Sequence, residues 1–210
     1  ARALEQKRTV LLGDADPQGT ARTWVEVAAE AGRHAPTVVA MGAAMYRPDQ
    51  LPRFAAGFDL VVIDCPPRAG DVQRSALMIA DVAVLPCGPS AADAWALAGT
   101  LELVNEAQVV RPELQSVVLL TRIQGRTAIG KGARAVLADC GCLVLRTELG
   151  YRVAYQETLA AGRGVTAYAP RDPAAREITA LCAELDALGK KSHGKAKTNR
   201  APAETVARSR

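Results

Sequence analysis

Two short apolar runs, each ending in an aspartate, constrain this 210-residue chain more than any other feature. The first lies in TVLLGDADPQG, Thr9–Gly19, where Val10-Leu11-Leu12 gives way to Asp14 and Asp16 and then to a Pro-Gln-Gly turn. A run this short fits helix or strand by period, but its β-branched start and Asp-Pro stop predict a buried strand. Open α/β sheets gather ligand chemistry at the carboxyl ends of their strands, where loops splay around a crevice. Asp14 and Asp16 fall at such an end. Taken alone, the pair fits two readings: turn formers and helix caps, or members of a site.

The second run, DLVVIDCPP, Asp59–Pro67, ends in Asp64, and Pro66-Pro67 forbids the strand from continuing. An acidic residue at the tip of an apolar strand is how many nucleotide hydrolases hold the waters around magnesium, an ion that takes oxygen ligands and keeps several waters. Two carboxylate-tipped strands facing one place predict a metal–phosphate site.

LLGDADPQGTARTW, then FDLVVIDCPP, then ALMIADVAVLPCGPSAADAWAL resemble, in this order, the ParA-type partition ATPases, in the wider group that includes the MinD-type cell-division ATPases. The resemblance runs from Lys7 to Leu188 and is greatest to the small members without an N-terminal DNA-binding domain. It implies an α/β, P-loop NTPase-like fold: a mostly parallel, doubly wound sheet with helices on both faces. It also implies ATP and Mg2+ as cofactors, a homodimer that sandwiches nucleotide and binds DNA without sequence preference, and a centromere-binding partner protein that stimulates hydrolysis. Carried over residue by residue, Asp16 orients the attacking water, Asp14 supports the magnesium and phosphate-loop network, and Asp64 holds magnesium through water. Thr121 and Arg122 match one base-side segment, and Ala167-Tyr168-Ala169-Pro170 the proline-bearing loop beside adenine. Arg152 and Arg163 match basic positions of the DNA-facing segment; as ordinary solvated arginines they need no ligand.

The family's front strand and its glycine-rich phosphate loop have no counterpart in these residues. Ala1–Gln6 resembles the last turns of the helix that follows that loop, and Lys7-Arg8 the basic turn into the next strand, so an N-terminally incomplete domain is expected. Losing an interior strand leaves its neighbours with unpaired backbone edges. Gly125–Gly132 nearly meets the pattern G-x-x-x-x-G-K-[ST], but Gly132 stands where a hydroxyl must reach magnesium; a loop and helix near the base is the preferred reading. A catalytically inactive relative that serves only as a DNA- or partner-binding module is the alternative function.

The chain is long enough for one full core, and at 49% hydrophobic but only 4% aromatic that core is built from Ala, Val and Leu. No apolar run is long enough to span a bilayer and no signal-like start is present, so a cytoplasmic, nucleoid-associated protein without membrane attachment is expected. The net charge of +4 is unevenly placed: residues 189–210 carry seven Lys and Arg, Lys190 and Lys191 among them, against Glu204, which leaves −2 on residues 1–188. This tail reads as a disordered segment that holds DNA by counterion release or simply keeps the protein soluble. Cys65, Cys87, Cys140, Cys142 and Cys182 are too scattered for a zinc knuckle and read as buried thiols.

Between the two runs, Trp24, Val27, Ala28 and Ala31 give a helix over 20–31 closed by Gly32, then a strand at 38–40 and a brief helix at 48–54. After the second run come a helix at 72–80, a strand at 82–85 ended by Pro86, and a helix from Ser90 to Ala107 with Asp93 closing a capping box and Trp95, Leu97, Leu101 and Val104 along it. A strand at 117–120, a helix at 133–140 and a strand at 143–145 follow. Asp172-Pro173 starts the last helix.

Overall fold

The computed structural model describes residues 1–67, 70–125, 127–138 and 141–198, the side chains of 131 and 190–198 excepted. The elements run α1 (Arg2–Glu5), β1 (Val10–Asp14), α2 (Thr20–Glu30), β2 (Thr37–Ala40), α3 (Leu51–Ala55), β3 (Leu60–Asp64) and α4 (Gly70–Leu77). Then come β4 (Val82–Cys87), α5 (Ala91–Val110), β5 (Gln115–Leu120), α6 (Ala128–Val136), β6 (Leu143–Val144), α7 (Val153–Ala160), α8 (Val165–Tyr168) and α9 (Pro173–Thr198).

Among the described residues every strand pairing is parallel, in the orders β2-β1-β3 and β4-β5-β6. Alternation along β5 shows why both faces are covered. Val118 and Leu120 pack under Leu97 and Val104 of α5 and Ala133 of α6, while Val117 and Leu119 meet Leu181 and Leu188 of α9. The parallel, helix-covered α/β architecture is as expected; among the described residues its strands pair as two three-stranded sheets, with β3 and β4 each at an edge. Helix α4 ties the halves together, since Leu77 belongs to the core beneath β4 and β5 and Ala76 to the core beneath β1 and β3.

Several boundaries move for identifiable reasons. β4 passes through Pro86 to Cys87 instead of stopping before it, which an edge strand tolerates because one side needs no N–H donors. α6 begins at Ala128, not Ala133, because Thr127 caps it: its hydroxyl accepts the Gly130 N–H at 3.0 Å. Ala167 and Tyr168 belong to α8, not to a loop. α9 is helical through residues 189–198, where disorder was expected; residues 199–210 lie outside the described ones. The capping box at Ser90 and Asp93 forms as expected, and Asp172 accepts the Ala174 N–H at 2.8 Å to start α9. On α5, Leu97 and Val104 are buried but Trp95 is 76% exposed.

Candidate functional site

Asp14 and Asp64 end β1 and β3 as register partners on neighbouring parallel strands. Parallel pairing in register sends the two side chains to the same face, with their strands about 4.8 Å apart. Asp14 is buried and works as a hub. Its Oδ1 accepts the Asp16 N–H at 3.2 Å, and its Oδ2 accepts both the backbone N–H (3.1 Å) and the Nε–H (3.2 Å) of Arg22. It thereby caps the first turn of α2 from a neighbouring strand, a place where a negative charge is favoured by the helix dipole. Asp16 is half-buried, and its Oδ1 accepts the Gln18 N–H at 2.9 Å, which shapes the Pro-Gln-Gly turn. That turn closes at Gly19, whose φ of 67° is left-handed and lets the chain swing directly into α2.

Asp64 is exposed at its strand end. Its carboxyl is pushed above the usual range, first by partial desolvation and then by the charges of Asp14 and Asp16. A divalent cation relieves that repulsion, and an oxygen-only donor set of this kind suits magnesium. Among the described residues no three His, Cys, Asp or Glu side chains form a cage for a metal; an ion held through water by one carboxylate needs none. The neighbouring Cys65 thiol is pushed up to about 11 by burial and by the Asp64 charge, which favours its protonated form.

Of the Gly125–Gly132 stretch, residues 127–132 form the start of α6 after β5, a strand of the sheet that does not carry the carboxylates, and the Gly130 N–H donates to the Thr127 hydroxyl. The stretch does not take the place of a phosphate loop at Asp14 and Asp64. Thr121 and Arg122 stand at the carboxyl end of β5, against the turn that follows β4. The Thr121 N–H donates to the Cys87 carbonyl at 2.8 Å, and Arg122 pairs with Asp93 at 2.7 Å from a left-handed φ of 57°. Pro170 is exposed in the turn before α9.

The two arginines expected to face DNA each have a partner within the chain. Arg152 donates from Nε to Glu177 Oε1 at 2.9 Å, and the same carboxylate takes the Tyr155 hydroxyl at 2.9 Å and the Gly150 N–H at 3.0 Å. Burial alone raises the Glu177 carboxyl, but Arg152, Gly150 and Tyr155 outweigh it and hold it below the usual range. Arg163 folds back to donate to the Ala167 carbonyl at 2.6 Å, and its own carbonyl receives the Trp24 indole N–H at 3.4 Å. The side chains of Lys190 and Lys191 lie outside the described residues. Arg22 and Glu177 were not foreseen. A cation in the first turn of a helix, where it opposes the dipole, was the available signal for Arg22.

The family described as an AAA domain matches residues 39–119. The chain is 31% identical over 186 residues to the maintenance of carboxysome distribution protein A of Halothiobacillus neapolitanus, covering 87% of this chain and 85% of that protein. It is 30% identical over 135 residues to the chromosome-partitioning ATPase Soj of Thermus thermophilus, covering 61% of this chain and 53% of Soj. In fold it is similar to the septum site-determining protein MinD of Pyrococcus horikoshii, solved with Mg-ADP, with a TM-score of 0.63 at 17% identity over 90% of this chain and 87% of that one.

Proposed function

Given that this chain belongs to the ParA/MinD-type P-loop ATPases, we propose that it is an ATP-dependent dimer that binds DNA without sequence preference and positions a cargo on it. Plasmid or chromosomal DNA is the cargo of the partition relatives it resembles. The reading is carried by one observation: Asp14 and Asp64 stand in register at the strand ends, with Asp16 tethered to Asp14. Bound nucleotide and Mg2+ supply the phosphoryl group and the cation that neutralises it. Asp64 would hold the cation, with water between carboxylate and ion. Asp16, fixed at its backbone by Asp14 and at its carboxylate by Gln18, holds and orients the attacking water. Catalysis of this kind is positioning and charge neutralisation rather than covalent chemistry by the protein. Thr121, Arg122 and Pro170 line the base side, and a partner protein stimulates turnover.

With Arg152 and Arg163 engaged internally, the basic segment after Leu188 is the DNA contact. Replacing Lys190, Lys191, Lys195 and Lys197 with Ala should weaken binding to a random-sequence duplex. It should also flatten the slope of log affinity against log salt by about 3 to 4, near 0.9 per lost phosphate contact. An unchanged slope would reject the DNA reading of this segment.

A further inference from the structure

Arg22 is an expensive residue where it stands. It lies in the first turn of α2, which has no acid there and no side-chain cap from Gly19, so its charge faces the positive end of the helix dipole. Its compensation comes from β1. Two N–H groups of Arg22 converge on Asp14 Oδ2, and the Asp14 side chain is wholly shielded from solvent while that of Arg22 is 42% exposed. Gly19 makes room for the contact, because a Cβ there would sit 2.7 Å from Arg22 Nη2 and 3.2 Å from its Cζ. Backbone conformation and side-chain space at Gly19 thus both serve the same pair.

A divalent cation arriving at this sheet end meets two carboxylates, Asp14 and Asp64, side by side. One already holds a full positive charge. We propose that Arg22 is a positioning residue that decides between them: it occupies Asp14 as a built-in counter-cation, confines a divalent ion to Asp64, and leaves Asp14 to hold the Asp16 backbone. The inference rests on the reading that Asp64 serves the cation.

The test is Mn2+ titration of the full chain, read by electron paramagnetic resonance of the free ion, with no nucleotide and no turnover. Arg22→Gln should bind Mn2+ about five- to tenfold more tightly than wild type, the scale on which one unit charge several ångströms away acts on a divalent ion at a solvent-facing site. Arg22→Lys keeps the charge and should stay near wild type. Asp64→Asn should remove binding in the wild-type background but leave it in Arg22→Gln, where Asp14 has become the ligand. Adding Asp14→Asn to Arg22→Gln should take the gain away. If Arg22→Gln does not fold by itself, Mn2+ should restore its helical circular dichroism by replacing the lost cation. An Arg22→Gln protein that binds no tighter than wild type and is not rescued by Mn2+, or a gain that survives Asp14→Asn, overturns the proposal. Indifference of the wild type to Asp64→Asn sinks the assignment of the cation to Asp64 alone, since the gain at Asp14 is read separately.

Discussion

Replacing Glu177 with Gln tests the structural role given to Arg152. Three groups converge on this carboxylate: Arg152 Nε at 2.9 Å, the Tyr155 hydroxyl at 2.9 Å and the Gly150 N–H at 3.0 Å. A hydrogen bond to a charged group contributes about 1.5–3 kcal/mol, reduced here because the Arg152 side chain is 35% exposed. Gln keeps one acceptor oxygen but turns an N–H toward groups that are themselves donors. A net loss of about 2 kcal/mol follows, which lowers Tm by about 4–8 °C in a domain of this size. The pH dependence has a definite sign. Glu177 is held below its ordinary value of 4.5, so its stabilisation is complete above that value and is lost as pH falls through the folded-state pKa. Thermal melts followed by circular dichroism should therefore show a wide gap between wild type and variant near pH 7, closing under more acidic conditions. Equal melting temperatures at neutral pH, or a gap that persists in acid, would refute the reasoning. An Arg152→Ala variant should lose stability likewise while keeping the salt slope of DNA binding.

Two further substitutions probe the frame around the site. At Gly162, with φ of 57°, a Cβ would lie 2.6 Å from the Ala28 nitrogen and 2.9 Å from its Cα, both backbone atoms of α2. Gly162→Ala should cost about 2–4 kcal/mol by urea unfolding, and a loss under about 0.5 kcal/mol would mean that α2 is not seated there. Asp64→Asn should raise Tm at neutral pH in the absence of metal. A raised folded-state pKa means that the unfolded chain loses its proton first, so stability falls as pH rises above 3.8 through the folded value. The advantage of Asn should vanish in strong acid, and a lower Tm at neutral pH would contradict it.

The strands and their carboxylate tips were legible because short β-rich runs closed by Asp-Pro or Cys-Pro-Pro leave little alternative. The parallel direction of the strands followed from the fold class, while the placing of β1 beside β3, which sets Asp14 against Asp64, is seen only in the structure. What escaped was side-chain pairing. Nothing near Arg22 in the chain says that its partner is Asp14 on β1, eight residues back across a turn. Nor does anything near Arg152 announce Glu177 on α9. Basic residues look alike in a sequence whether they face solvent or a partly buried carboxylate, so the internal partners of Arg152 and Arg163 were not legible there. The start of α6 was set by its cap, Thr127, rather than by apolar spacing. Pro86 shows that a proline ends a strand only where its missing N–H is needed.

The central claim is that Asp14, Asp16 and Asp64 serve magnesium–nucleotide chemistry, and ATP turnover by the native protein tests it most directly. With Mg2+ and DNA present, wild type should hydrolyse ATP, Asp16→Ala should fall by about 100-fold while still binding nucleotide, and chelation of Mg2+ should abolish turnover. A native protein that neither binds nor hydrolyses MgATP, or an Asp16→Ala variant that turns over at the wild-type rate, would contradict the account.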